Sequence, residues 1–144
     1  MYERTVRDVM GGDNALMLAP RTTVRAAAEA MAKRGMGAAM VVEGGRLVGI
    51  FTERDALFRV VARGLDPGAT TLSAVMTVDP QTVRPEDSFG YALVLMQQGG
   101  YRHAPVIENG RPIGMVTSRS AMDPELEEFV SEANRRNYHL QGHH

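Results

Sequence analysis

Residues 35–56 read GMGAAMVVEGGRLVGIFTERDA, and residues 100–121 read GYRHAPVIENGRPIGMVTSRSA. The two stretches align without gaps at an offset of 65, which carries Gly49 onto Gly114, and ten of the 22 positions are identical. Unrelated sequences would share about one or two of these positions, so the chain contains an internal duplication. Two copies of one structural unit are therefore expected.

Each copy shows the same order of local signals. Apolar residues recur at helical spacing in 24–31 and in 89–96, and each stretch is followed by glycine, which predicts two amphipathic helices. Two short apolar runs come next in each copy, separated by Gly44-Gly45 and by Asn109-Gly110. Both pairs accept positive φ, so each predicts a tight hairpin. The strands are expected at residues 39–42, 47–51, 104–107 and 112–116.

A threonine follows each hairpin at the position of a helix N-cap. Thr52 is predicted to open a helix over 53–63 that carries Leu57, Val60 and Val61 on one face. In the second copy Pro124 ends the equivalent helix early, and a new C-terminal helix is expected after Asp123.

These elements predict an α+β fold, in which two pseudo-symmetric β-α-β-β-α motifs pack as a tandem pair, plus a C-terminal helix. The expected boundaries are 5–65 for the first motif and 69–122 for the second. Residues 123–137 would form the C-terminal helix, and 138–144 a disordered tail.

Composition excludes several classes of function. The formal net charge of −1 argues against a nucleic-acid binder that relies on bulk positive charge. The absence of cysteine removes disulfides and zinc–thiolate sites, and no apolar run approaches the roughly 20 residues of a membrane span. No catalytic motif is present, so the expectation is a cytoplasmic, non-enzymatic protein without a metal or a required cofactor.

The first strand-to-helix junction carries the strongest candidate binding residues. Backbone N–H groups at the start of a helix lack partners and favour an anion such as phosphate. Asp55 lies three residues after Thr52 and could accept hydrogen bonds from both hydroxyls of a ribose. Gly49, which has no side chain, would let a ligand approach the strand closely. The alternative is a capping box, in which Asp55 only binds the Thr52 backbone.

The motifs resemble those of the CBS (cystathionine-β-synthase) domain family, whose signature is glycine, two apolar residues, threonine or serine, any two residues and aspartate. Residues 49–55, GIFTERD, match at every defined position. Residues 114–120, GMVTSRS, match except at Ser120. The Val9-Met10 and Val75-Met76 pairs are also similar to the family, and the resemblance covers residues 5–122.

This resemblance implies a stand-alone tandem CBS pair, in which each cleft draws residues from both motifs. The implied ligand contains adenosine: AMP, ADP or ATP, with S-adenosylmethionine or NAD(H) as alternatives. Family pairs commonly form homodimers, and a regulated partner protein is possible. The implied ligand-binding residues are Ala38, Ile50, Thr52, Asp55, Arg102, His103 and Arg119, of which the last three would approach the phosphates.

The second copy predicts a weak or empty site at Thr117 and Ser120. A hydroxyl cannot hold a ribose diol as a carboxylate does, and a lost charged hydrogen bond costs about 1.5–3 kcal/mol. Two other hypotheses stay open: a ligand-free dimerisation scaffold, and an enzyme with Asp55 and His103 as its only acid–base candidates.

Overall fold

The computed structural model describes residues 4–10 and 15–121. The predicted C-terminal helix over 123–137 and the tail over 138–144 lie outside the described residues. The described elements, in chain order, are α1 (Val6–Val9), β1 (Met17–Leu18), α2 (Val24–Arg34), β2 (Ala38–Glu43), β3 (Arg46–Thr52), α3 (Glu53–Asp55) continuing into a π-helical segment (Ala56–Val61), α4 (Leu72–Val75), β4 (Thr77–Val78), α5 (Phe89–Gly99), β5 (His103–Glu108), β6 (Arg111–Thr117) and a 3₁₀ turn (Ser118–Ala121).

Both predicted hairpins are confirmed, and they share their geometry. β2 pairs with β3, and β5 pairs with β6, each antiparallel and each with an irregularity four residues into its first strand. Gly44-Gly45 and Asn109-Gly110 all have positive φ, between 53° and 78°, as a type I′ turn requires. The α+β fold class is confirmed, with two helix-and-hairpin units.

The two sheets differ in the strands that join them. β1 lies parallel to β2, and β4 pairs antiparallel with β3, so the first sheet has four strands in the order β1-β2-β3-β4. β4 comes from the segment that leads into the second copy. Among the described residues the second sheet has two strands, β5 and β6, plus an isolated parallel bridge from Val83 to Val106.

The segments that precede each copy are exchanged between two hydrophobic cores. Val6 of α1 is fully buried in the second core, among Phe89, Val106 and Val116. Leu72 of α4 is fully buried in the first core instead, and Val75 joins it. Each half therefore needs the other to complete its core, which ties the copies into one folded unit.

The helix predicted over 53–63 is present but differs in two respects. It is α-helical only at Glu53–Asp55 and π-helical at Ala56–Val61, with Ala62 N–H donating to the Leu57 carbonyl at 2.9 Å. The prediction that Leu57, Val60 and Val61 share one face is wrong: Val60 is 2% exposed, whereas Leu57 and Val61 are 53% and 67% exposed. An i→i+5 turn takes more residues than an α-turn, so positions three apart diverge further.

Within residues 4–10 and 15–121, no helix is both long enough and apolar enough to cross a membrane.

Candidate functional site

The junction between β3 and α3 forms a reciprocal cap. The Thr52 hydroxyl accepts from the Asp55 N–H at 3.1 Å, and the Asp55 carboxylate accepts from the Thr52 N–H at 3.0 Å. The capping box predicted as the alternative role of Asp55 is therefore present. It fixes the carboxylate at the end of the strand, because both partners lie in the same turn.

The Asp55 carboxylate also contacts groups outside this turn. The Thr77 hydroxyl, on β4, donates to Oδ1 at 3.2 Å, and Arg59 Nε lies 3.6 Å from the same oxygen. Arg59 in turn donates to the carbonyls of Val75 and Met76 at 3.3 and 3.0 Å. The acid therefore joins the first helix to the segment that enters the second copy, and its side chain is only 9% exposed.

A cleft of about 720 Å³ opens beside this carboxylate, a volume within the usual range for small-molecule sites. Its walls come from both copies. From the first copy it receives Ile50, Thr52, Glu53, Arg54, Asp55, Phe58 and Arg59; from β4 onward it receives Thr77, Asp79, Pro80, Gln81, Gly99, Gly100, Tyr101, Arg102 and His103.

Five of the seven predicted ligand-binding residues line this cleft: Ile50, Thr52, Asp55, Arg102 and His103. The other two do not. Ala38 is 4% exposed and pairs with Thr52 across β2 and β3, and it is not among the residues that line the cleft. Arg119 is exposed on the 3₁₀ turn and is not among the cleft-lining residues.

His103 lies where the two copies meet. A Cβ added at Gly37 would stand 3.1 Å from Glu53 Oε1 and 3.4 Å from His103 Cε1, so the three residues are close neighbours. Burial lowers the pKa of His103 below its usual 6.5, and the nearby Arg102 lowers that pKa further, while Glu53 opposes both. His103 is thus held toward its neutral form until an added negative charge favours protonation.

The cleft has several residues that the sequence did not single out. Arg54 lies over the Phe58 ring at 5.3 Å, and the Tyr101 hydroxyl donates to Gln81 at 3.2 Å. The sequence could have indicated the Arg59–Asp55 ion pair, because Arg59 lies four residues after Asp55 on one helix. No local pattern could have revealed Thr77, which reaches Asp55 only through the pairing of β4 with β3.

The predicted role of Gly49 is wrong. A Cβ at this position would lie 2.6 Å from Met76 Sδ and 2.9 Å from the Thr77 carbonyl oxygen. Glycine is therefore needed for the close approach of β4, and a ligand would not occupy that space.

The second junction has the same threonine but no carboxylate. The Ser120 hydroxyl accepts from the Thr117 N–H at 3.2 Å and lies 3.3 Å from the Thr117 hydroxyl. Ser120 thus reproduces part of the cap, and the chain continues as a 3₁₀ turn.

Comparison with known proteins identifies the recurring unit. The family model described as "CBS domain" matches residues 6–62 and 72–124. Among curated proteins, the CBS domain-containing protein YhcV of Bacillus subtilis is 35% identical over 112 residues, covering 78% of this chain and 79% of that protein. The CBS domain-containing protein CBSCBSPB3 of Arabidopsis thaliana is 39% identical over 115 residues, or 79% of this chain.

Several of the matched relatives are much longer than the aligned region. The match spans 20% of the length of CBSCBSPB3, for example. Among solved structures, the CBS domain protein PAE2072 of Pyrobaculum aerophilum, complexed with AMP, superposes with a TM-score of 0.75 at 25% identity. That superposition covers 88% of this chain and 98% of the other.

Proposed function

Because this chain belongs to the CBS domain family and carries two CBS motifs, we propose that its cleft binds an adenosine-containing ligand and that the chain acts as a regulatory binding module. The observation that carries the proposal is the meeting of Thr52 and Asp55, from one copy, with Arg102 and His103, from the other. Such a cleft combines a carboxylate that can accept from sugar hydroxyls with basic side chains that can donate to phosphate.

The cleft has a side chain suited to bind each part of a nucleotide: the ribose, the phosphates and the base. The Asp55 carboxylate accepts from the ribose hydroxyls, and Arg102 and His103 bind the phosphates. Ile50 packs against the base. Arg119 and Ala38 are not among the residues that line the cleft, so the assignment rests mainly on the other five residues.

We favour AMP, ADP or ATP as the ligand. The AMP complex of the Pyrobaculum protein supports an adenine nucleotide, while S-adenosylmethionine and NAD(H) contain the same ribose and remain the alternatives. No reaction is proposed. The ligand would shift the relative arrangement of the two motifs by its difference in affinity for the two arrangements. A cytoplasmic location and a regulated partner protein complete the proposal.

Isothermal titration calorimetry tests the site. AMP, ADP, ATP, S-adenosylmethionine and NADH are titrated into the wild type and into Asp55→Asn, which keeps the size of the side chain but loses its charge. Loss of a charged hydrogen bond predicts at least about tenfold weaker binding to the variant. Asp79→Asn is the matched control, because Asp79 lines the same cleft at φ 50°, a conformation that asparagine tolerates.

Equal affinities in the wild type and Asp55→Asn would refute the role of this carboxylate. No binding of any of the five ligands to the wild type would refute the function as a whole. A loss of affinity in Asp79→Asn equal to that in Asp55→Asn would mean that the general charge of the cleft, and not one carboxylate, determines binding.

A second proposal is that the chain forms a homodimer, and one observation favours it. Leu57 and Val61 are 53% and 67% exposed on neighbouring turns, and Leu65 beyond them is 40% exposed. An apolar patch of this kind is typical of a protein contact. Light scattering should give a dimer mass for the wild type and a monomer mass for Leu57→Glu/Val61→Glu; a monomeric wild type would contradict the proposal.

A further inference from the structure

The Asp55 carboxylate has little free hydrogen-bonding capacity in the described structure. A carboxylate offers about four acceptor positions. Thr52 N–H and the Thr77 hydroxyl take one each, and the Arg59 guanidinium lies against Oδ1. Because the side chain is only 9% exposed, solvent has little access to the remainder. A ribose diol, which needs two acceptor positions, cannot simply be added to this arrangement.

The three partners of Asp55 differ in how easily a ligand could replace them. The Thr52 N–H belongs to the reciprocal cap of the same turn, so removing it would open the helix start. Arg59 is fixed by its own bonds to the Val75 and Met76 carbonyls. The Thr77 hydroxyl lines the cleft, turns about a single bond and has no other hydrogen bond among those described. It is the contact that a ligand can displace at the lowest cost.

From this arrangement, and on the basis of the function proposed above, we propose that Thr77 is an internal competitor that sets the affinity of the cleft. Its hydroxyl occupies the acceptor position on Asp55 that a ribose hydroxyl takes when the ligand binds. Binding therefore exchanges one hydrogen bond for another at this oxygen, and the net gain in free energy is smaller than that of a new bond.

Thr77→Val tests this directly. Valine has almost the shape of threonine and suits a strand, so β4 is retained while the competing hydroxyl is lost. AMP should bind the variant about 3- to 10-fold more tightly than the wild type, which corresponds to one net hydrogen bond. Thr77→Ser keeps the hydroxyl and is the matched control, with an affinity close to that of the wild type. Thr77→Ala replaces the valine variant if the latter fails to fold, and the same gain is expected.

A comparison with 2′-deoxy-AMP and 3′-deoxy-AMP separates competition from a merely loosened cleft. The probe that lacks the hydroxyl competing with Thr77 should gain less from Thr77→Val than AMP does. Equal gains for all three nucleotides would overturn the proposal, and so would unchanged or weaker AMP binding to Thr77→Val.

Combining Thr77→Val with Asp55→Asn separates the competitor role of Thr77 from the proposed binding site itself. The amide of asparagine keeps one neutral acceptor oxygen in place of the carboxylate, so Thr77→Val should give a smaller gain when combined with Asp55→Asn. If AMP binding depends on Asp55 but does not respond to Thr77→Val, the competitor role is wrong and the binding site stands. If AMP binding does not depend on Asp55 at all, the site assignment itself fails.

Discussion

The two strand-to-helix junctions of this protein share a threonine and differ in almost everything around it. Thr52 is capped by Asp55, a nearly buried carboxylate that also contacts Thr77 and Arg59. Thr117 is capped by the neutral hydroxyl of Ser120. The two junctions therefore share a threonine whose N–H is bound by the side chain three residues later, but only at the first junction is that side chain a carboxylate.

The residues contributed by the opposite copy also differ, and again the basic groups lie beside the first junction. Arg102 and His103 line the cleft beside Asp55. At the offset of 65, their counterparts in the first copy are Gly37 and Ala38, which carry no charge. A cleft beside Ser120 built by the same symmetry would lack counterparts of the Asp55 carboxylate and of the basic side chains of Arg102 and His103. The two copies therefore differ at two sets of positions together: the acid of the junction, and the basic residues that the opposite copy places beside it.

The largest expected difference between the junctions is in the free energy of unfolding lost when the capping side chain is removed. Asp55→Ala should lower the free energy of unfolding by about 2–3 kcal/mol, because it removes a cap and the charged partner of Thr77 and Arg59. Ser120→Ala should cost about 1 kcal/mol or less, since it removes one neutral cap. Urea denaturation of both variants measures the difference. Equal losses would mean that the extra contacts of Asp55 do not stabilise the fold.

The next largest loss of stability is expected where β4 packs against β3. β4 belongs to the segment that connects the two copies, and it joins the first sheet. Gly49→Ala should destabilise the protein by about 1–3 kcal/mol, because the new methyl group overlaps Met76 Sδ and the Thr77 backbone. Gly68→Ala is the control, since its added Cβ meets Asp66 at an ordinary 3.5 Å. Thermal denaturation distinguishes the two; a tolerated Gly49→Ala would show that β4 can shift without cost.

A smaller effect should appear on acidification. The pKa of His103 is lowered in the folded protein, by burial and by Arg102 against the opposing Glu53, so the unfolded chain takes up this proton first. His103 therefore contributes stability above pH 6.5 that is lost as the pH falls through its folded pKa. Ala38, its counterpart in the first copy, has no such dependence.

His103→Gln removes this titration. Urea denaturation at pH 7.5 and at pH 5.5 should give a smaller fall in unfolding free energy for His103→Gln than for the wild type, while the other titrations are common to both. The wild type should also gain nucleotide affinity relative to the variant as the pH falls, because a bound phosphate favours the protonated imidazole. Parallel behaviour of the two proteins would contradict the assigned sign.

The smallest effect is expected at the second junction. Ser120→Asp restores the seven-residue motif and should add a few tenths of a kcal/mol to the unfolding free energy through a charged cap. The number of nucleotides bound should stay at one, because Gly37 and Ala38 supply no cation. A second binding event in calorimetry would show that Ser120 alone accounts for the difference between the junctions.

The sequence predicted the fold well and the candidate site in part. The hairpins followed from glycine and asparagine pairs that adopt positive φ, and the cap from residues three apart in one turn. Five cleft residues were anticipated, while Ala38 and Arg119 lie elsewhere in the described structure. The shared face of Leu57, Val60 and Val61 was wrong, since the periodicity argument assumes α-helical turns and the segment is π-helical.

By itself, the sequence determined the duplication, the element order, the turns and the caps, because each depends on residues within a few positions of one another. Only the tertiary structure decided that α1 and α4 exchange cores and that Thr77 and Arg59 surround Asp55. It also decided that Gly49 makes room for β4. Such contacts join residues far apart along the chain, and they depend on which surfaces remain to be buried once the local elements have formed.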